Sequence, residues 1–96
     1  MPRLVILPAA RVDLIEIGDF IAQDNLERAL SFLAEIEVKM QEAAERPESF
    51  PMRNDVCAGL RSARHGRYLI FFVNADEEVQ IVRVLHGARD LPRIFG

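Results

Sequence analysis

Two long apolar runs in the last third of the chain limit what it can fold into: Tyr68, Leu69, Ile70, Phe71, Phe72 and Val73, then Val79, Gln80, Ile81, Val82, Arg83, Val84 and Leu85. A strand with one wet face alternates apolar and polar residues, so runs this continuous belong to strands buried on both faces, at central positions in a sheet. The polar segment Ala75, Asp76, Glu77, Glu78 joins them as a hairpin, with strands expected over residues 67–74 and 79–86. A shorter strand over residues 60–64 precedes them, followed by a turn at His65 and Gly66, and residues 3–7 give a first strand closed by Pro8. Such a sheet needs cover.

The cover lies between residues 9 and 45. Val12, Leu14, Ile17, Phe20 and Ile21 recur at helical spacing, and Gly18 weakens that helix by only about 1 kcal/mol relative to alanine. Asp24, with Glu27 three residues on, is placed to cap a second helix. There Leu26, Ala29, Leu33, Ile36, Met40 and Ala43 form the packing face, with Glu27, Glu35, Glu37, Lys39, Glu42 and Glu45 largely off it. Arg46-Pro47 ends this helix, because the residue before proline is pushed away from helical angles. The short break between the helices makes them an antiparallel hairpin. Residues 48–59, with Pro51, Asn54, Asp55 and Gly59, read as a loop. The expected architecture is α+β: an N-terminal strand, a helical hairpin packed on a small antiparallel sheet, and a short C-terminal segment, all one domain over residues 1–96.

Half of the 96 residues are apolar, enough for one core without metal or disulfide support. Cys57 is the one cysteine, expected to be a small half-buried residue; no Cys/His metal spacing and no cofactor motif accompany it, which points to a reducing cytoplasm. The apolar stretch from Leu4 to Leu7 is too short for a signal peptide or a membrane span. Charge is uneven: residues 1–52 carry five Lys/Arg against ten Asp/Glu, and residues 53–96 seven Arg against five acids. A chain that is acidic overall is a poor non-specific DNA binder, yet its basic second half suits an acidic partner.

Arg61, Arg64, His65, Arg67, Arg83, His86 and Arg89 gather on or beside the strands. Cleaving RNA requires groups that take and return protons and cations that hold developing charge. His86 is the one acid or base to nominate, but Arg83 lies three residues away and diverges from it if the strand runs straight. His86 otherwise ends the strand and bonds the backbone of the C-terminal segment, and His65 is a solvent-exposed turn residue. Arg83, between Val82 and Val84, must reach the sheet edge toward a partner or find a carboxylate, Asp90 being nearest in sequence. Serine nucleophile motifs and glycine-rich phosphate loops are missing from the sequence.

The chain resembles the ParE branch of the RelE/ParE superfamily of type II toxins. The residues that carry the resemblance are Ala10 to Ile21 with Asp13, Leu14 and Ile17, the Asp24-Asn25 break, then Ala29, Phe32, Ile36 and Pro47. It continues through Gly59-Leu60-Arg61 and residues 66–72, and closes on Ile81, Val82, Arg83, Val84, Leu85, His86, Gly87, Ala88, Arg89 and Asp90, its most specific part. The resemblance implies a cytoplasmic toxin, causing growth arrest and serving plasmid or chromosomal stability, that inhibits DNA gyrase without catalysis. It also implies a hetero-oligomer with a cognate antitoxin, ParD-like or another DNA-binding protein, whose disordered acidic segment wraps the toxin; the toxin itself has no specific DNA contact, membrane contact, metal or cofactor. Binding residues are expected among Arg61, Arg64, Arg67, Arg83, His86, Arg89, Asp90 and Arg93. In the RNA-cutting RelE branch the catalytic group would be His86, Arg83 and Arg61, but the single lysine, Lys39, lies on a helix and the single tyrosine, Tyr68, opens a strand. A non-toxic interaction module is the third reading.

Overall fold

A computed structural model describes residues 3–87 and 91–95, leaving aside the side chain of Pro92. Strand β1 (Arg3–Ile6) leads into helix α1 (Pro8–Ala22) and helix α2 (Leu26–Glu45), a 3-10 turn at Pro47–Ser49, strands β2 (Arg61–His65), β3 (Tyr68–Ala75) and β4 (Glu78–His86), and a short helix α3 (Leu91–Phe95). Pro8 opens α1 in the first turn, where its missing N–H costs nothing. The cap of α2 differs from expectation by one residue: Asn25, not Asp24, takes extended angles, and its side-chain oxygen accepts the Arg28 N–H at 3.0 Å. The Asp24 and Asn25 N–H groups instead finish α1 by bonding the Ile21 carbonyl. Arg46 ends α2 as Pro47 dictates.

The sheet order is β1-β4-β3-β2, so the two most apolar strands are central, as their composition requires. Both hairpins close in two residues. Gly66 and Asp76 supply the positive φ angles, +60° and 39°, that match such turns to strand twist. One expectation is corrected: β1 pairs parallel to β4, with Leu4 opposite Val79 and Ile6 opposite Ile81, so the sheet is mixed. The chain leaves β1 through two helices and three strands before reaching its neighbour, and no local pattern records that direction. A register shift between Phe71 and Phe72 inserts an extra residue into β4, pairing Phe71 with Arg83 and Phe72 with Ile81.

Ile36, Met40 and Ala43 of α2 and Ala10 and Ile17 of α1 pack on Ile70, Phe72, Val79, Ile81 and Val84. On the other face Leu60, Leu69, Phe71 and Leu85 are covered by Leu91 of α3 and flanked by Val56 and Phe95. Burial in the hairpin departs from the periodicity. Val12, Phe20 and Leu26 are exposed, whereas Asp13 and Gly18 are buried. The helices meet at Gly18, where an added Cβ would lie 3.0 Å from Leu33 Cδ1, and this approach rotates α1 away from its most apolar stripe. Cys57, expected half-buried, is exposed in the loop.

A candidate binding end of the sheet

The Leu7 N–H still donates to the Ile81 carbonyl at 3.0 Å, but beyond it the outer edge of β4 is no longer covered, and the strand's next backbone groups need another partner. Asp13, on the first turns of α1, provides it. Its Oδ2 accepts the Val84 N–H at 2.9 Å and Arg83 Nε–H at 2.8 Å, while Oδ1 accepts from Arg83 Nη2 at 2.9 Å. The Asp13 side chain is 6% exposed and that of Arg83 26%. Hydrogen bonding to Asp13 raises the Arg83 pKa above its ordinary value against the cost of desolvation, with the Asp13 and Glu16 charges helping. Among the described residues, the carboxylate that meets Arg83 is therefore Asp13, 70 residues upstream. Arg89 and Asp90 lie outside the described residues.

His65, Tyr68 and His86 stand opposite one another across β2, β3 and β4. Their rings form a continuous row: Phe32 of α2 lies 5.2 Å from His65 and 5.6 Å from Tyr68, and Tyr68 meets His86 edge-on at 5.5 Å. His65 is thus a strand residue and not the expected free turn residue. The turn is made by Gly66 and Arg67, and His65 Nε2–H donates to Glu35 Oε1 at 2.8 Å. Arg28 Nη1 holds the other oxygen of Glu35 at 2.6 Å. Arg28 first and His65 second draw the Glu35 pKa below its ordinary value of 4.5.

The remaining candidates divide into held and presented groups. Arg61 donates to the Phe50 carbonyl at 2.8 Å and so fastens the loop to β2. Arg64 and Arg67 are exposed at the β2–β3 turn, where Gly87 N–H donates to the Arg67 carbonyl at 2.9 Å and brings the end of β4 beside them. Arg64 Nη2 lies within 3.8 Å of a Cβ built at Gly87. Arg93 is exposed on α3. His86 borders a hollow of about 180 Å³ shared with Asp13, Glu16, Phe20 and Tyr68, smaller than the roughly 300 to 1,000 Å³ of small-molecule sites. The sequence reading missed Asp13 and Glu35. Asp13 had a signal, because it falls between Ala10 and Ile17 on the buried stripe, where a carboxylate requires a partner. Glu35 had none, since an exposed helical glutamate is ordinary.

The model of the ParE toxin of type II toxin–antitoxin systems matches residues 4–91. The chain belongs to the ParE toxin family. This ParE-family toxin is similar to a solved chain of the chromosomal ParDE toxin–antitoxin system of P. aeruginosa, at TM-score 0.76 and 21% identity over 90% of this chain and 96% of the other. That likeness concerns the fold. It is similar also to a chain of the RelBE2 toxin–antitoxin complex of Mycobacterium tuberculosis, at TM-score 0.65 and 26% identity over 90% and 99%. No curated protein matches the sequence. Among the described residues, no helix of this toxin is long and apolar enough to cross a membrane, and no group of three or more His, Cys, Asp or Glu is placed to hold a metal ion.

Proposed function

We propose that this toxin acts in the cytoplasm by binding alone, as an inhibitor of DNA gyrase, and that a cognate antitoxin neutralises it by covering the end of the sheet that presents Arg64 and Arg67 together with Arg93 on α3. The observation that carries this reading is the fate of the arginines an RNA-cutting site would use. Arg83 has two donors on Asp13, and Arg61 is bonded to the Phe50 carbonyl. A guanidinium bonded this way positions a strand and a loop; freeing it for a phosphate would strand a buried carboxylate. Of the candidate arginines among the described residues, Arg64 and Arg67 face outward at the β2–β3 turn and Arg93 on α3, where an acidic, disordered antitoxin segment gains charge-assisted bonds as it orders. Family membership supports gyrase as the target. The ParDE and RelBE2 likenesses support a toxin–antitoxin assembly.

The test is a supercoiling assay with purified toxin beside an RNA cleavage assay on translating ribosomes. Inhibited supercoiling with intact messenger RNA is expected; unaffected gyrase with cut messenger RNA transfers the protein to the RelE mode of action. Arg64→Glu with Arg67→Glu should weaken antitoxin binding by about tenfold or more. Because both sites are exposed, the melting temperature should stay where it is.

A further inference from the structure

The C-terminal end of α2 gathers negative charge with no cation in its last turn. A helix C-terminus is partly negative and favours basic side chains, yet the last turn of α2 holds none and closes on Glu45. The Ala43 carbonyl also loses its usual helical donor, because Pro47, four residues on, has no N–H. At this end lies a hollow of about 350 Å³, lined by Glu42, Glu45, Arg46, Ser49 and Phe50. That volume is at the lower end of the roughly 300 to 1,000 Å³ of small-molecule sites. The segment from Arg46 to Phe50 that closes it is held in place. Ser49 N–H donates to the Arg46 carbonyl at 3.0 Å, Arg61 donates to the Phe50 carbonyl at 2.8 Å, and the Phe50 ring packs edge-on against the buried Phe72 at 5.8 Å.

The charges around the hollow select what can fill it. Lys39 pairs with Glu42 at 3.1 Å, but among the described residues no ion pair or side-chain hydrogen bond engages Glu45, Arg46 or Ser49. Glu45 and Arg46 are adjacent, exposed and opposite in charge, and they still do not pair with each other. The lining therefore offers one free carboxylate, one free guanidinium, a hydroxyl and an aromatic ring. A nucleotide or other polyanion would meet Glu45 and the negative helix end, and a polyamine would meet Arg46 with a single free acid to hold it. A ligand with one ammonium, one carboxylate and an apolar body satisfies every group. Its ammonium donates to Glu45, its carboxylate accepts from Arg46 and Ser49, and its body lies against Phe50. We propose that this hollow binds a free α-amino acid with an apolar or aromatic side chain. Because the closing segment is already fixed, little ordering opposes binding.

The probes are phenylalanine and leucine, titrated into isotope-labelled full-length toxin and followed by chemical shift. Three derivatives accompany them: phenylalaninamide, which keeps only the ammonium, N-acetylphenylalanine, which keeps only the carboxylate, and N-acetylphenylalaninamide, which has neither. The free amino acids should give saturable shifts centred on residues 42–50, and each derivative should bind about tenfold more weakly or worse. Glu45→Gln and Arg46→Gln should each reduce phenylalanine affinity by a similar factor while leaving the melting curve unchanged, since both side chains are exposed and unpaired. Absence of saturable shifts, or unchanged affinity in either variant, overturns the proposal. Equal binding of phenylalaninamide overturns it in favour of a subsite for a cationic side chain of another protein, and equal binding of N-acetylphenylalaninamide in favour of a merely apolar contact. Gyrase and the antitoxin enter none of these readouts, so the outcome is independent of the function proposed above.

Discussion

The two ion-pair sites that tie the helices to the sheet make a useful comparison. Asp13 with Arg83 and Glu35 with Arg28 and His65 have closest contacts of similar length, 2.8 Å in the first and 2.6 and 2.8 Å in the second. Their surroundings differ. The Asp13 carboxylate is 6% exposed and also accepts a buried backbone N–H, whereas Glu35 is 40% exposed and is held by the side chains of Arg28 and His65. Distance therefore says little about what each is worth. A buried carboxylate that loses its partners leaves charges without compensation, and an exposed one is rehydrated.

The comparison breaks most visibly at Asp13. Asp13→Ala removes the acceptor of both Arg83 and Val84 N–H and should destabilise the domain by about 3 kcal/mol, at the lower end for a disrupted buried pair because Arg83 keeps some solvent. Denaturant midpoints at constant m-value measure it. Arg83→Met should cost a comparable amount, about 3 kcal/mol, because the buried Asp13 carboxylate loses its cation even though the Val84 N–H still donates to it and the methionine replaces the arginine stem. Its growth arrest should survive at reduced temperature, where the folded fraction recovers. Lost toxicity with an unchanged melting curve would make Arg83 a partner contact.

A pH series sharpens the contrast. Glu35 is held below its ordinary pKa of 4.5 and Asp55, through Arg53, below 3.8, so their contributions are present above those values and fade as pH falls through the lowered ones. The melting temperature should therefore decline below about pH 4.5, and Glu35→Gln should flatten part of that decline. Arg83 behaves oppositely, because its pKa is raised; its contribution is complete below the usual arginine range and should show no loss between about pH 6 and 10. The smallest effect expected is that of Glu35→Gln at neutral pH and high salt, where screening should bring its melting curve onto that of the parent.

Much of the fold was legible in the sequence. The continuous apolar runs of β3 and β4 announced central strands, the three-and-four spacing of α2 announced a helix, and Pro8 and Pro47 marked boundaries that the structure keeps. These signals are local, set by backbone geometry within a few residues. The exposed Val12 and Leu26 show where such signals stop: periodicity tells that a stripe exists, while the close approach at Gly18 decides which stripe faces inward. At the candidate site, Arg83 drew notice from sequence because a charge among valines needs a partner. The partner's identity did not follow.

The sequence by itself determined the four strands, the two long helices, their order, and the charge asymmetry between an acidic first half and a basic second half. The tertiary structure decided that β1 runs parallel beside β4, that Asp13 closes the edge β1 leaves open, and that Glu35 reaches His65 across thirty residues. The reason is the range of the forces involved. Helical and strand propensities act between near neighbours, but an ion pair or a strand partner exists only once packing has brought distant segments within hydrogen-bonding reach.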